Sequence, residues 1–564
     1  MVVEVLPPTL PWQDLVADKR ARQAAAIPKD WIITPTAGDV RDVTSVPATC
    51  GLLTDKELAI TENTDIESLL AQLASGELSS VEVVTAYYKR AIVAQQVVNC
   101  LTEIFVDRAL ERAAWLDEQL KVNGKPVGPL HGLPISLKDQ VAIKGLETTI
   151  GYVSWIGKYS ERDATLTEIL YDLGANPFVR TNLPQTIMWP ETYNLVFGRT
   201  LNPHNRLLTS GGSSGGEGAL LGMRGSPLGV GTDLGGSVRI PAAFCGLYGL
   251  RPSGNRLPYE GSINTCEGQD SMPSVIGPLA PSIAVIKVFM KAIISAEPWL
   301  KDPLAIRKPW DEEEYQLKSH GRGGKMVFGM IWDNGIVVPH PPVRRAMMMA
   351  KEVLEAAGHE VVDWVAYKHT EFNEIMTAVT TAAGQEDFKP VITLTGEPLI
   401  DSMSIEGIAN PYALVTRTGV LTAYELWQVH RRRQILRKEY LDRWQATAKT
   451  TSTGRPIDAL ISPVAPWAAP PHGRNTNASY TRVFNALDYV SCVFPVTKVD
   501  PELDAKLPPH EFLSEQDESA YNLYDPNTFE NAPVCLQLVG RTLEEEAVIR
   551  MTEIVDGLLK QKPE

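Results

Sequence analysis

The chain is poor in cysteine, with six in 564 residues: Cys50, Cys100, Cys245, Cys266, Cys492 and Cys535. No C-x-x-C pair occurs, which excludes a disulfide scaffold and a structural zinc site and leaves reduced, buried thiols as the expectation. Positive charge is also short. Lys and Arg total 53 against 68 Asp and Glu, a net charge of −15. Nucleic acid and anionic membranes reward positive charge, so neither is an expected partner. No run of 18 uncharged apolar residues is present. The nearest, Ile276 to Ile294, holds Lys287, Lys291 and two prolines and reads as a buried or surface helix, so no membrane insertion is expected. Met1 to Pro8 has neither the basic start nor the apolar length of a secretory signal, and Gln561-Lys562-Pro563-Glu564 carries no retention or peroxisomal signal. A cytoplasmic location is the expectation.

What remains is an ordinary globular composition, 44% apolar and 21% charged. Residues 1–60 are proline-rich and weakly patterned, an extension expected to lie on the body with one short helix, Gln13 to Ala25. Residues 61–564 alternate helix and strand signals. Ser79-x-x-Glu82 is a capping box for a helix through Tyr88. Asp107 and Asp163 are expected caps of two more helices. Leu133 to Lys138 alternates with period 2, placing Leu133, Ile135 and Leu137 on one face and Lys138 on the other. Phe178–Arg180, Met326–Ile331, Glu360–Val362, Ala459–Ile461, Val493–Val496 and Val534–Val539 are further short strands. The pattern implies an α/β fold: one large domain whose mixed, mostly buried central sheet is covered by helices on both faces. Asp311-Glu312-Glu313-Glu314 reads as a solvated helix start. His430 to Arg433 reads as a salt-bridged face of a long helix opened by Thr422-x-x-Glu425.

Glycine is average in total but not in placement. Thirteen of the 42 glycines fall among the 39 residues from 211 to 249, where only Glu217, Arg224, Asp233 and Arg239 are charged. Such a cluster suits backbone that approaches something closely or takes positive φ, and its exposed amides suit a developing anion. No lysine lies in the tract, so a phosphate-binding loop is excluded, and Gly229-x-Gly231 does not continue to a dinucleotide fingerprint. Gly211-Gly212-Ser213-Ser214-Gly215 matches a nucleophile elbow, but loop-like residues precede it and no later histidine has a recognisable setting. A serine hydrolase without histidine fits better. Leu234-Gly235-Gly236-Ser237 sets consecutive N–H groups beside a hydroxyl, and Ser213 is a second hydroxyl in open backbone. Lys138 can serve as base if burial leaves it neutral; taken alone it reads as a surface lysine paired with Asp139.

The combination resembles the amidase signature family of serine hydrolases. Gly211 through Ala242 fits the family's long signature, including Ser213, Ser214, Gly215, Gly216, Asp233, Gly235, Ser237, Arg239 and Pro241. Gly132-Leu133-Pro134-Ile135-Ser136-Leu137-Lys138-Asp139 fits the family's lysine motif. Ala17 to Arg22, Ile27 to Trp31 and Pro339 to Pro342 are similar to the fungal acetamidase or general amidase branch. The resemblance implies an amidase with no metal and no cofactor, acting on a small-molecule amide; a homodimer is a candidate assembly. It implies Ser237 as nucleophile, Ser213 as proton relay joined to Gly212 by a cis bond, and Lys138 as neutral base. The amides of Leu234, Gly235, Gly236 and Ser237 are implied as the oxyanion hole. Ser214, Asp233 and Arg239 are expected scaffold, and Met188 and Trp189 are candidates for the acyl pocket. The alternative carried by the same signature is an amidotransferase subunit supplying ammonia to a charged tRNA.

Overall fold

The computed structural model describes residues 10–401, 403 and 419–561; the terminal residues read above for targeting signals lie outside the described residues at 1–9 and 562–564. The alternating signals build one α/β domain around an eleven-stranded mixed sheet. Its strands are β1 (Leu101–Ile104), β2 (Pro134–Lys138), β3 (Asn176–Thr181), β4 (Gly229–Asp233), β5 (Tyr248–Arg251) and β6 (Val275–Ala280), then β7 (Val327–Met330), β8 (Glu360–Asp363), β9 (Ala459–Pro463), β10 (Ser491–Lys498) and β11 (Pro533–Val539). Across the sheet they run β1-β3-β2-β4-β6-β5-β10-β11-β9-β7-β8.

Two stretches, β3-β2-β4 and β9-β7-β8, are parallel, and the remaining neighbours are antiparallel. Parallel neighbours need a crossover. The Thr165–Asp172 helix lies between β2 and β3, Gly215–Gly222 between β3 and β4, and Pro341–Ala356 between β7 and β8. Every residue of β2, β3 and β4 is buried. Although buried throughout, these strands are not purely apolar: they carry Ser136 and Lys138, Asn176 and Arg180, and Thr232 and Asp233.

Ser79 and Thr422 both form complete capping boxes, with Glu82 and Glu425. Asp311 caps a short helix, Glu312–Tyr315. In the basic turn, Arg432 pairs with Glu371, while Arg433 is buried and donates to Ala486 O at 2.7 Å. Four local expectations change. Asp107 lies inside its helix (Val106–Asn123), whose cap position is Phe105; the Phe105 N–H donates to the Tyr88 hydroxyl at 2.7 Å. Asp163 stands one residue before the Ala164 cap and accepts from Lys144 N–H at 2.7 Å. The apolar stretch from Ile276 divides at Pro281 into β6 and a helix, Ile283–Ser295. Among the cysteines, Cys50 and Cys266 are half-buried and the other four are buried, all as free thiols.

The N-terminal helix, Trp12–Ala25, lies along β1: Gln23 Nε2 donates to Leu101 O at 2.8 Å, and Arg22 pairs with Glu147 at 2.9 Å. The Asp55–Glu62 helix runs across the position expected to separate extension from body. Among the described residues, no helix is long and apolar enough to cross a membrane.

Candidate active site

Lys138 ends β2, opposite Thr181 of β3, and is fully buried. It is not a surface lysine, and Asp139 turns away from it toward Arg180, at 3.7 Å. Asp139 also accepts the N–H groups of Thr149 and Ile150. Among the described residues, Lys138 Nζ meets only hydroxyls: Ser213 Oγ at 2.7 Å and Thr232 Oγ1 at 2.9 Å. Burial pulls its pKa down to about 7, opposed by the charges of Asp233 and Glu217. A lysine near 7 is substantially neutral at neutral pH and can accept a proton.

Ser213 sits in the glycine-rich turn before the Gly215–Gly222 helix, and its peptide bond to Gly212 is cis. The glycines answer to crowding. A Cβ on Gly212 would lie 2.5 Å from the Glu191 backbone, and one on Gly216 would lie 2.3 Å from the Asn182 nitrogen. Ser214 ties this turn to β4, its hydroxyl 3.4 Å from both Thr232 N and Thr232 O. Ser214 N–H donates to Ser237 O at 3.2 Å, joining the two serine loops.

The second loop leaves β4 after Asp233. Gly236 has φ +129°, and a Cβ there would meet Thr481 Oγ1 at 2.4 Å. Asp233 organises the turn: Gly236 N–H donates to its Oδ1 at 2.8 Å and Val238 N–H to its Oδ2 at 3.2 Å. The Gly236 amide, expected in the oxyanion hole, is therefore committed to Asp233. Arg239 forks onto Asp233, with Nε to Oδ2 and Nη2 to Oδ1 both at 3.0 Å, and Asn485 Nδ2 adds a bond at 2.8 Å. Burial would raise the Asp233 carboxyl, but Arg239 and Asn485 hold it down to about 2. Asp233 and Arg239 thus hold the loop together, as scaffold does.

Ser237 differs from Lys138 and Ser213 in exposure. Those two are fully buried, while Ser237 is half-buried and lines a cleft. Among the described residues its hydroxyl has no hydrogen-bond partner. The Lys138–Ser213 contact is made; a Ser213–Ser237 contact is not. The cleft is lined by Ser237, Leu234 and Gly235, by Met188 and Trp189, and by Arg482. Its volume is about 60 Å³, far below the ~300–1,000 Å³ of pockets for drug-sized ligands. Trp189 also packs on Phe388, Ile400 and Met403, so it serves pocket wall and core together.

Four residues here escaped the sequence reading. Thr232 touches the lysine, and its signal was the hydroxyl inside the glycine tract. Glu217 was visible as a rare charge in that tract. Its carboxylate accepts the Ser136 hydroxyl at 2.6 Å and the Thr181 hydroxyl at 2.8 Å, and burial lifts it to about 8. Met376 and Arg482 reach the cleft from remote helices, His369–Thr380 and Ser479–Leu487, and no local pattern marks them.

A family profile described as amidase matches residues 82–549. An acetamidase of Emericella nidulans is 42% identical over 550 residues, covering 97% of this chain and 98% of the relative. An acetamidase of Aspergillus oryzae is 42% identical over 555 residues, covering 98% and 99%. Among solved structures, a fatty acid amide hydrolase superposes with a TM-score of 0.90 at 33% identity, over 99% of this chain and 97% of that one. A peptide amidase bound to chymostatin shares the fold, with a TM-score of 0.67 at 21% identity over 89% and 99% of the two chains.

Proposed function

The chain belongs to the amidase family, a hydrolase acting on amide C–N bonds, and from that premise we propose that it cleaves short-chain carboxylic amides through an acyl-enzyme on Ser237. The observation that carries the reading is the buried Lys138, in contact with Ser213 at 2.7 Å and, among the described residues, with no carboxylate. Ser213 takes the Ser237 proton as it gives its own to Lys138 Nζ, and Ser237 Oγ attacks the amide carbon. The N–H groups of Leu234, Gly235 and Ser237 make no hydrogen bond within the described chain and face the developing oxyanion; Gly236 contributes the turn. Lys138 returns the proton through Ser213 to the leaving nitrogen, because an amine leaves only once protonated. Water, deprotonated along the same path, then releases the acid. Substrate binding closes the gap between Ser213 and Ser237, since catalytic hydrogen bonds are often long in the free enzyme.

The small cleft beside Met188 and Trp189 suits a short acyl group, and the relatives named acetamidase agree with it. The test is ammonia release from acetamide, with fluorophosphonate labelling, in wild type and Ser237→Ala. Both signals are expected to vanish in the variant. Labelling that persists at another serine overturns the assignment.

A further inference from the structure

Gln140 lies two residues beyond Lys138, fully buried, and the proton path above makes no use of it. Its Nε2 donates to Ile263 O at 3.0 Å and to the Tyr259 hydroxyl at 3.1 Å. Its Oε1 is 2.7 Å from Thr232 Oγ1. A backbone carbonyl only accepts, so the amide nitrogen belongs toward Ile263 and the amide oxygen toward Thr232. An amide oxygen also only accepts, so the single Thr232 proton is spent on Gln140. Thr232 then offers Lys138 nothing but lone pairs, across 2.9 Å. A neutral amine has two N–H bonds and one lone pair. With an N–H committed to Thr232, the lone pair is left for the Ser213 hydroxyl. If Thr232 could rotate, its own proton could occupy that lone pair instead.

The geometry points to Gln140 as a positioning residue for the Lys138 base: acting through Thr232, it sets the direction of the hydrogen bonds around Nζ and reserves the lone pair for Ser213. The inference rests on the reading of Lys138 as the base. The side chain can be changed without undoing the local backbone, because the Ile263 N–H donates to the Gln140 carbonyl, at 2.9 Å. Among the described residues, the ionisable groups that bear on Lys138 are Asp233 of β4 and Glu217 of the Gly215–Gly222 helix; Thr181, its register partner on β3, gives its hydroxyl to Glu217. Tyr259, whose pKa burial pushes up to about 12, stays neutral.

The experiment compares Gln140→Met, Gln140→Glu, Thr232→Val, Thr232→Ser and the double variant Gln140→Met/Thr232→Val, with Lys138→Ala as reference. Gln140→Met is expected to lower kcat on acetamide about 10- to 100-fold, the scale of a misplaced catalytic group, at unchanged KM. Its acid limb moves to lower pH, since a Thr232 free to donate favours the neutral amine. Gln140→Glu carries a proton toward Ile263 O and still accepts from Thr232 with its other oxygen, so it keeps most of kcat and its limb stays near the wild-type position. Thr232→Val loses kcat, and Thr232→Ser recovers most of it. In the Thr232→Val background, Gln140→Met adds no further loss, because both act through one hydroxyl. If Gln140→Met fails to accumulate, Gln140→Glu decides by its kcat: a value near wild type supports the role, and a loss equal to that of Thr232→Val overturns it. Independent losses in the double variant, or a Gln140→Met limb that stays put while Lys138→Ala is inactive, overturn the positioning role alone. An active Lys138→Ala overturns the base itself, and this inference with it.

Discussion

Two acid–base pairs are buried around β4, and equal burial has opposite consequences for them. Asp233 and Arg239 meet as a two-pronged fork, and Asp233 is held down to about 2. Lys138 and Glu217 each meet hydroxyls instead, and burial drives the lysine down to about 7 and the carboxyl up to about 8. Desolvation is the largest influence on all of these groups. What separates the pairs is direct contact with a counter-ion in good geometry, which keeps both charges in place. Without that contact, burial neutralises. One pair stays charged and holds a loop; the other is shifted toward its neutral forms near neutral pH.

The largest way to break this comparison is Lys138→Met. Amide turnover is expected to fall by roughly 10²–10⁴-fold, the worth of a general base. Stability should move the other way. The unfolded chain holds the Lys138 proton up to the ordinary 10.5, while the folded chain releases it near 7. The unfolded state therefore binds more protons between those values, and stability rises with pH across that window. At pH 7 this lysine costs stability, so its apolar replacement should raise the unfolding free energy by about 1–4 kcal/mol. A thermal melt beside an ammonia assay checks both signs; a less stable Lys138→Met variant would remove the contrast.

Arg239→Met is the mirror experiment. It leaves Asp233 buried without its partner, with an expected loss of about 3–5 kcal/mol, visible in urea unfolding at pH 7. In the wild type, Asp233 has a folded value near 2, below the unfolded 3.8. Its stabilisation is present above 3.8 and is lost as pH falls through 2. The variant should lose that part of the acid dependence.

The sequence showed one of these pairs better than the other. Asp233 and Arg239 fall six residues apart in a single signature, so local pattern exposes them. Lys138 is visible because the alternation of β2 puts it opposite three apolar residues, and its motif is local too. Its surroundings are not. Thr181 arrives by strand register, Thr232 from β4, and Glu217 from a helix that crosses over between β3 and β4. β7, β9, β10 and β11 were legible as short apolar runs and β2 as a period-2 alternation, whereas the glycine-rich β4 showed neither. The caps at Asp107 and Asp163 were misplaced because acidic residues also suit a first turn or a neighbouring loop, and only tertiary hydrogen bonds choose among these. Met188 and Trp189 stood next to the signature, whereas Met376 and Arg482 reached the cleft by helix packing over long sequence distances.

A smaller effect sharpens the pair through pH. If Lys138 acts as a neutral base with a value of about 7, kcat/KM on acetamide should fall about tenfold per pH unit below that point. Stopped assays between pH 5 and 9 read it directly. A profile flat down to pH 5 means the base is not a lysine at this value.

The smallest effect is the most discriminating. Glu217→Gln keeps the side-chain shape and removes the carboxyl proton. If Glu217 is already protonated where Lys138 titrates, the direction in which burial moves it, the amide changes little. The acid limb should then move down by less than about half a pH unit, because only the residual anionic fraction is lost. If Glu217 were charged there, its loss would remove an anion that favours charged lysine, and the limb would drop by about a full unit or more. A small shift keeps Lys138 and Glu217 as two groups neutralised by burial. A large one makes them an ion pair held at a distance, and the difference from Asp233 and Arg239 becomes one of degree.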